Sequence, residues 1–128
     1  MTAVERGALG EQYCVEILKA RGYRILCRNY RIRRGEIDVI ASRGDTLAFI
    51  EVKTRAANSL GTPAEAVGAQ KQRRLIAAAQ HYLLRYPVEL WLRFDVFEVV
   101  VADAKEFVVQ SHRHIEGAFD VNETNRID

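Results

Sequence analysis

Apolar residues first recur at helical spacing between Ala8 and Arg21, where Leu9, Tyr13, Ile17 and Leu18 share one side and Gly22 is placed to cap the end. Residues 23–31 mix aromatic and branched residues with Arg between Gly22 and Gly35, which reads as a strand. Two further runs, Glu36 to Ala41 and Leu47 to Lys53, flank Ser42-Arg43-Gly44-Asp45-Thr46, and the Gly-Asp pair predicts a β-hairpin. Residues 54–61 read as a loop. Thr62-Pro63-Ala64-Glu65 then offers an N-cap, a proline at the first helical position and a capping-box glutamate. The helix it predicts breaks at Gly68, resumes at Ala69 and runs through Leu75, Ile76, Ala79, Tyr82 and Leu83 until Pro87 stops it. Trp91 to Val101 and Phe107 to Gln110 read as two more strands, and the chain turns polar after Gly117.

The hairpin pattern has a chemical consequence. With Gly44 and Asp45 as the central turn residues, Arg43 pairs with Thr46, and counting back sets Asp38 opposite Glu51 and Glu36 opposite Lys53. Strict alternation puts these four on one side of the sheet and Ile37, Val39, Ala41, Ala48, Ile50 and Val52 on the other. The charged side is itself apolar near the turn, at Ile40, Leu47 and Phe49, so the charges gather at the hairpin's open end as the edge of a cleft. Two carboxylates directly opposite in a sheet stand about 5 Å apart at their β-carbons and repel. Mg²⁺ compensates such a pair, since it takes one or two carboxylates, keeps waters and leaves positions for phosphate oxygens. An ion-pair ladder, in which Lys53 serves Asp38 or Glu36, satisfies the same charges without a metal.

Composition bounds the rest. The 128 residues are 48% hydrophobic and 28% charged, with 8 Gly and 2 Pro, as in an ordinary globular chain. One domain over 1–119 is expected, followed by a flexible polar tail over 120–128, and this length supports a core without metal or disulfide staples. Cys14 and Cys27 show no metal-ligand spacing and read as buried free thiols. The start lacks a basic patch followed by an apolar stretch, and no run of 18 apolar residues occurs, so a cytoplasmic location without membrane association is expected. Asn122-Glu123-Thr124 matches a glycosylation sequon that means nothing without secretion.

Charge is segregated. Residues 17–85 hold 14 Lys and Arg against 5 Asp and Glu, whereas residues 95–128 hold 3 against 8. Residues 17–34 carry Lys19, Arg21, Arg24, Arg28, Arg31, Arg33 and Arg34 and no acid. Such a stretch suits a polyanion or is simply a solvated face. His81 sits on the second helix, and His112 and His114 form an H-x-H without partner ligands, which speaks against zinc. Tyr13, Tyr23, Tyr30, Tyr82 and Phe49 could stack on bases, but their spacings suit a core better.

Asp38…Glu51-Val52-Lys53 resembles the Asp…(Asp/Glu)-x-Lys constellation of the restriction-endonuclease-like superfamily. Gly10-Glu11, Asn29-Tyr30, Gly35-Glu36-Ile37-Asp38, Phe49 to Arg55, Lys71-Gln72-x-Arg74-Leu75 and Arg93-Phe94-Asp95 together look like the YraN family of small bacterial proteins. The resemblance spans roughly residues 7–119. It implies an α/β fold, a three-layer αβα core with a central mixed sheet in the order α-β-β-β-α-β-β. It also implies that Asp38 and Glu51 hold the metal, that the Val52 carbonyl joins them, and that Lys53 assists the attacking water. Glu11 matches the glutamate that Holliday junction resolvases bring from the first helix, in contrast to the surface acids Glu5 and Glu16. Gln72 matches a position that could reach the scissile phosphate. Glu36 and Asp95 also match, though a pair with Lys53 or a neighbouring Arg explains them equally. Ile37 stands where the superfamily often has proline, a position that supplies no ligand.

The expectation is a metal-dependent endonuclease using Mg²⁺, with Mn²⁺ as an alternative, on branched or non-standard DNA. Arg28, Arg31, Arg33 and Arg34, with Lys53, Arg55, Lys71, Arg73 and Arg74, would clamp phosphates. A homodimer offering two sites is the expected assembly. The rival is a non-catalytic module on the same fold that binds nucleic acid or a protein, and an RNA substrate is a third reading.

Overall fold

A computed structural model describes residues 1–58, 67–103 and 105–120. The Thr62 to Glu65 helix start, the sequon and all but the first residue of the 120–128 tail lie outside the described residues. The elements are α1 (Ala3–Ala20), β1 (Arg24–Ile32), β2 (Gly35–Arg43), β3 (Thr46–Ala56), α2 (Ala69–Arg85), β4 (Trp91–Val101) and β5 (Val109–Ile115). The order α-β-β-β-α-β-β is the expected one. The strands form one sheet in sequence order, antiparallel at β1/β2, β2/β3 and β4/β5 and parallel at β3/β4, where α2 makes the crossover. No helix among the described residues is long and apolar enough to cross a membrane.

One helix lies on each face. α1 packs Cys14, Val15 and Leu18 against Val39, Ala41, Ala48, Ile50, Phe97, Val99 and Val101. α2 packs Leu75, Ile76, Ala79 and Tyr82 against Ile37, Ile40, Leu47, Phe49 and Phe94. The sheet is thus the middle of three layers, and β3, apolar on both sides, runs through its centre. The aromatic residues belong here too: Phe49 contacts both Phe94 and Tyr82, and Tyr30 meets Tyr82 edge-on.

Several boundaries differ from the pattern. α1 begins at Ala3 rather than Ala8, because Thr2 and Glu5 close a reciprocal capping box. The apolar residues of its first turn, Ala3 and Val4, are both exposed, so periodicity is silent there. β3 continues through Thr54, Arg55 and Ala56, which a loop reading would exclude, because each pairs with β4 at Val99, Val100 and Val101. The last strand is Val109–Ile115, later than Phe107 to Gln110. Its polar residues find partners inside: His112 Nδ1 bonds Tyr13 Oη at 2.8 Å and His112 stacks on Phe97. Both cysteines are free, with Cys14 buried and Cys27 half-buried.

The β2/β3 register is the predicted one, from Arg43↔Thr46 to Val39↔Ile50. The pleat is not. Asn29 lies in the left-handed region at φ 53°, and β1 pairs Cys27↔Ile40, Arg28↔Val39 and Tyr30↔Ile37. Cys27, Tyr30, Ile37 and Ile40 all face α2, so each strand takes three residues instead of two between successive inward positions. Ile37 therefore sits on the opposite side from Val39, against the alternation expected of a regular strand, and Asp38 occupies the step.

Two glycines bring the helices close at this end. A Cβ on Gly10 would meet Thr54 Oγ1 at 1.8 Å, and one on Gly35 would meet the Arg74 carbonyl oxygen at 1.9 Å and its carbon at 2.8 Å. The second clash is with helix backbone, so Gly35→Ala should cost about 2 kcal/mol by overpacking. Gly7, in α1 with nothing within 4 Å of its would-be Cβ, is the matched control. Gly7→Ala should gain roughly 0.5–1 kcal/mol of helix propensity. Urea midpoints that move the same way in both variants would rule out this account of Gly35.

Candidate metal and nucleic-acid site

Beyond Val39 and Ile50 the β2/β3 ladder opens, and the Val52 N–H donates at 2.8 Å to Asp38 Oδ2 instead of to a backbone carbonyl. The gap is the wall of a cavity of about 290 Å³, lined by Gly7, Glu11, Glu36, Asp38, Glu51, Val52, Lys71, Arg74 and Leu75. Four carboxylates from α1, β2 and β3 thus share one concavity. A larger cavity of about 600 Å³ lies toward the turn end of the sheet, lined by Ile76, Leu83, Leu92, Phe94 and Phe119 among others, and gathers no comparable set of acids.

The electrostatics are unequal. Glu51 is only 3% exposed, its Oε1 pairs with the Lys71 ammonium, and its Oε2 is buried without a hydrogen-bond partner. The other such atom among the described residues is Thr54 Oγ1, beside Gly10. Burial pushes Asp38 up to about 6; the Val52 N–H opposes this, and the charges of Glu11, Glu51 and Glu36 add to it. Glu36 is exposed and pairs with Arg31 at 3.4 Å.

Asp38, Glu51, Glu11 and Val52 therefore converge as expected. Lys53 and Gln72 are not in the cavity wall. Lys53 is half-buried in register with Glu98, and among the described residues no ion pair joins it to Asp38 or Glu36. The expected Glu36/Lys53 facing pair is absent because the strands have parted by then. Gln72 donates from Nε2 to the Val67 carbonyl at 2.7 Å, beside the start of α2. Lys71, expected among the phosphate clamps, is the cation on Glu51. The clue was its place at the head of the crossover helix after β3, which returns over the strand end that carries Glu51.

Oxygen donors alone make up the set, the type a hard divalent ion takes, and Glu51 Oε2 has no hydrogen-bond partner of its own. Among the described residues no three His, Cys, Asp or Glu side chains already stand at ligand spacing. The donor chemistry fits Mg²⁺ or Mn²⁺, with Asp38, Glu51, Glu11 and the Val52 carbonyl as the groups that would hold it.

Basic residues surround this end. Arg28, Arg31, Arg33 and Arg34 are exposed on β1 and the following turn, and Lys71, Arg73 and Arg74 on the first turns of α2. Gly35 touching Arg74 keeps the two groups adjacent. Arg28 donates to Gln12 Oε1 at 2.9 Å, next to Glu11. Arg55 is engaged otherwise, its Nε 3.0 Å from the buried Glu98.

The model of "Uncharacterised protein family UPF0102" matches residues 10–99. A UPF0102 protein of Alkaliphilus oremlandii is 49% identical over 116 residues, 88% of this chain and 96% of the relative. One from Symbiobacterium thermophilum is 55% identical over 94 residues, covering 73% and 80%. One from Chlorobaculum tepidum is 44% identical over 121 residues, covering 91% and 93%.

Proposed function

The chain belongs to the uncharacterised UPF0102 (YraN) family, and from its site we propose that it is a metal-dependent nuclease that hydrolyses phosphodiester bonds in branched or otherwise non-standard DNA. The observation that carries this reading is Glu51, a buried carboxylate with one oxygen unpartnered, set in a cavity with Asp38 and Glu11 beneath a basic rim. A purely structural ion-pair ladder would satisfy its members. Here Asp38 is held by a single N–H among three other acids, an arrangement that disfavours its charged form until a cation arrives.

Mg²⁺ would polarise the phosphoryl oxygen and favour ionisation of the attacking water. Asp38, Glu51, Glu11 and the Val52 carbonyl would hold the ion. Lys53, two residues beyond Glu51 on β3 and outside the cavity wall, would have to turn toward the bound water to take a proton-handling or charge-neutralising role. Arg31, Arg33, Arg34, Arg73 and Arg74 bind flanking phosphates and set the strand's path across the cavity mouth. The water oxygen bonds to phosphorus as the bond to the departing sugar oxygen breaks.

Labelled linear, flap and four-way DNA, with matching RNA, incubated with Mg²⁺ or Mn²⁺ provide the test. Cleavage of DNA that disappears in both Asp38→Ala and Lys53→Ala supports the reading. Tight binding with no cleavage in either metal makes the protein a non-catalytic module, and preferred cleavage of RNA reassigns the substrate.

A further inference from the structure

Lys71 and Glu51 are an unequal pair. The Glu51 side chain is 4% exposed and fixed within the sheet, whereas the Lys71 side chain is 57% exposed and hangs from the first turn of α2 by a flexible stem. A buried carboxylate cannot leave, but an exposed ammonium can swing into water at little cost in packing. Lys71 also lies in the wall of the same cavity as Asp38, Glu11 and Arg74, with its ammonium on one Glu51 oxygen and the other oxygen unpartnered. Its charge occupies ground on which a divalent ion would be held.

We infer that Lys71 is an internal counter-cation of this site, which a divalent ion must displace from Glu51 and which, once displaced, turns outward to bind a phosphate of the nucleic acid. The inference rests on the metal-site reading above and adds an exchange to it: one cation leaves the carboxylate as another arrives, and the released charge goes to the substrate. A lysine amine carries its charge at neutral pH, as a cation that moves between two anionic partners must. Three consequences follow. Without nucleic acid the site binds divalent ions more weakly than its carboxylates alone would. Ion and nucleic acid bind with positive coupling, because each removes a competitor of the other. Removing the ammonium improves the first property and abolishes the second.

The experiment measures Mn²⁺ affinity by calorimetry and by electron paramagnetic resonance on the full chain, for the unaltered protein, Lys71→Gln, Lys71→Arg and Asp38→Asn. Glutamine keeps a donor for Glu51 without the charge, so the fold is spared an orphaned carboxylate, and melting curves verify this. Lys71→Gln should bind Mn²⁺ about 10- to 100-fold more tightly, the scale of one charge-assisted bond that no longer has to be broken. Lys71→Arg should stay within about threefold of the original, and Asp38→Asn should lose the site. DNA affinity measured with Ca²⁺ as an ion for binding only should rise in the unaltered protein and stay flat in Lys71→Gln. Unchanged or weaker Mn²⁺ affinity in Lys71→Gln overturns the exchange and leaves the metal site standing if Asp38→Asn still abolishes binding. Mn²⁺ binding in neither protein overturns both. Tighter binding in Lys71→Gln without nuclease activity in any variant keeps the exchange and removes the catalytic reading.

Discussion

Asp38→Asn should stabilise the protein while removing the proposed nuclease activity. In the folded chain Asp38 titrates near 6, above the ordinary 3.8, because burial and the charges of Glu11, Glu51 and Glu36 outweigh the bond from the Val52 N–H. A group whose pKa is raised by folding contributes stability that is fully present below its unfolded pKa and is lost as pH rises through the folded one. Near pH 4 the carboxyl is protonated in the fold and costs nothing; above about 6 it is a half-buried anion among anions. The penalty at pH 8 is about 1–3 kcal/mol, discounted from the full shift for partial solvent contact. Asparagine keeps an oxygen for Val52 and removes the charge. The variant should melt several degrees higher at pH 8, roughly 4–10 °C, and only slightly differently at pH 4. Saturating Mg²⁺ should close the gap by stabilising the unaltered protein alone. Cleavage should fall at least ~10²- to 10³-fold, the scale for removing a group that stabilises developing charge. Equal melting temperatures at pH 8, or full activity in the variant, would sink this account of Asp38.

How much of this could be read from the chain alone depends on which physical term was local. The hairpin register was legible because a two-residue turn with left-handed Gly44, at φ 58°, fixes every pair up to the point where the ladder opens. The opening itself was not, since it comes from paired three-residue steps at Asn29 and Asp38, and alternation arguments assume a regular pleat. Glu11, Asp38, Glu51 and Val52, which the family resemblance groups, line one cavity. Alternation sets Lys53 beside them, yet it falls outside the cavity, while for Lys71 the sequence shows only its place at the head of the crossover helix and not the carboxylate it meets there. The Gly10-Glu11 and Gly35-Glu36 blocks acquire a cause only in three dimensions: each glycine admits a helix, or a helix carbonyl, beside the acid that follows it.

Asp95 is the counterexample that separates a site from a scaffold, and Asp95→Ala should be the most destabilising single change outside the apolar core. Where Asp38 is half-buried, Asp95 is fully buried, at 0% exposure. Its environment is opposite. Arg93 donates from Nε to Oδ1 at 2.8 Å and from Nη2 to Oδ2 at 2.9 Å, and the Gly117 N–H reaches Oδ1 at 3.0 Å. His114 Nε2 lies 2.8 Å from Oδ2 and must carry the proton there, since a carboxylate only accepts. Burial alone would raise this carboxyl, but the bonds from His114, Arg93 and Gly117 outweigh it and hold Asp95 below the ordinary aspartate range. Its contribution is present above the unfolded pKa near 3.8 and is lost as pH falls through the lowered folded value, the reverse of Asp38. The network ties β4 to β5 and, through Arg93 Nη2 on Tyr23 Oη at 2.7 Å, to the end of α1. Truncation leaves a partly buried guanidinium and a buried imidazole without their acceptor, a loss of about 3–5 kcal/mol. Urea unfolding should show the midpoint falling with the slope unchanged, while Mn²⁺ affinity per folded molecule stays as it was. A loss under about 1 kcal/mol would mean that Tyr23 and Glu116, already on Arg93, suffice to hold it, and the distinction between a satisfied and an unsatisfied aspartate would lose its energetic basis.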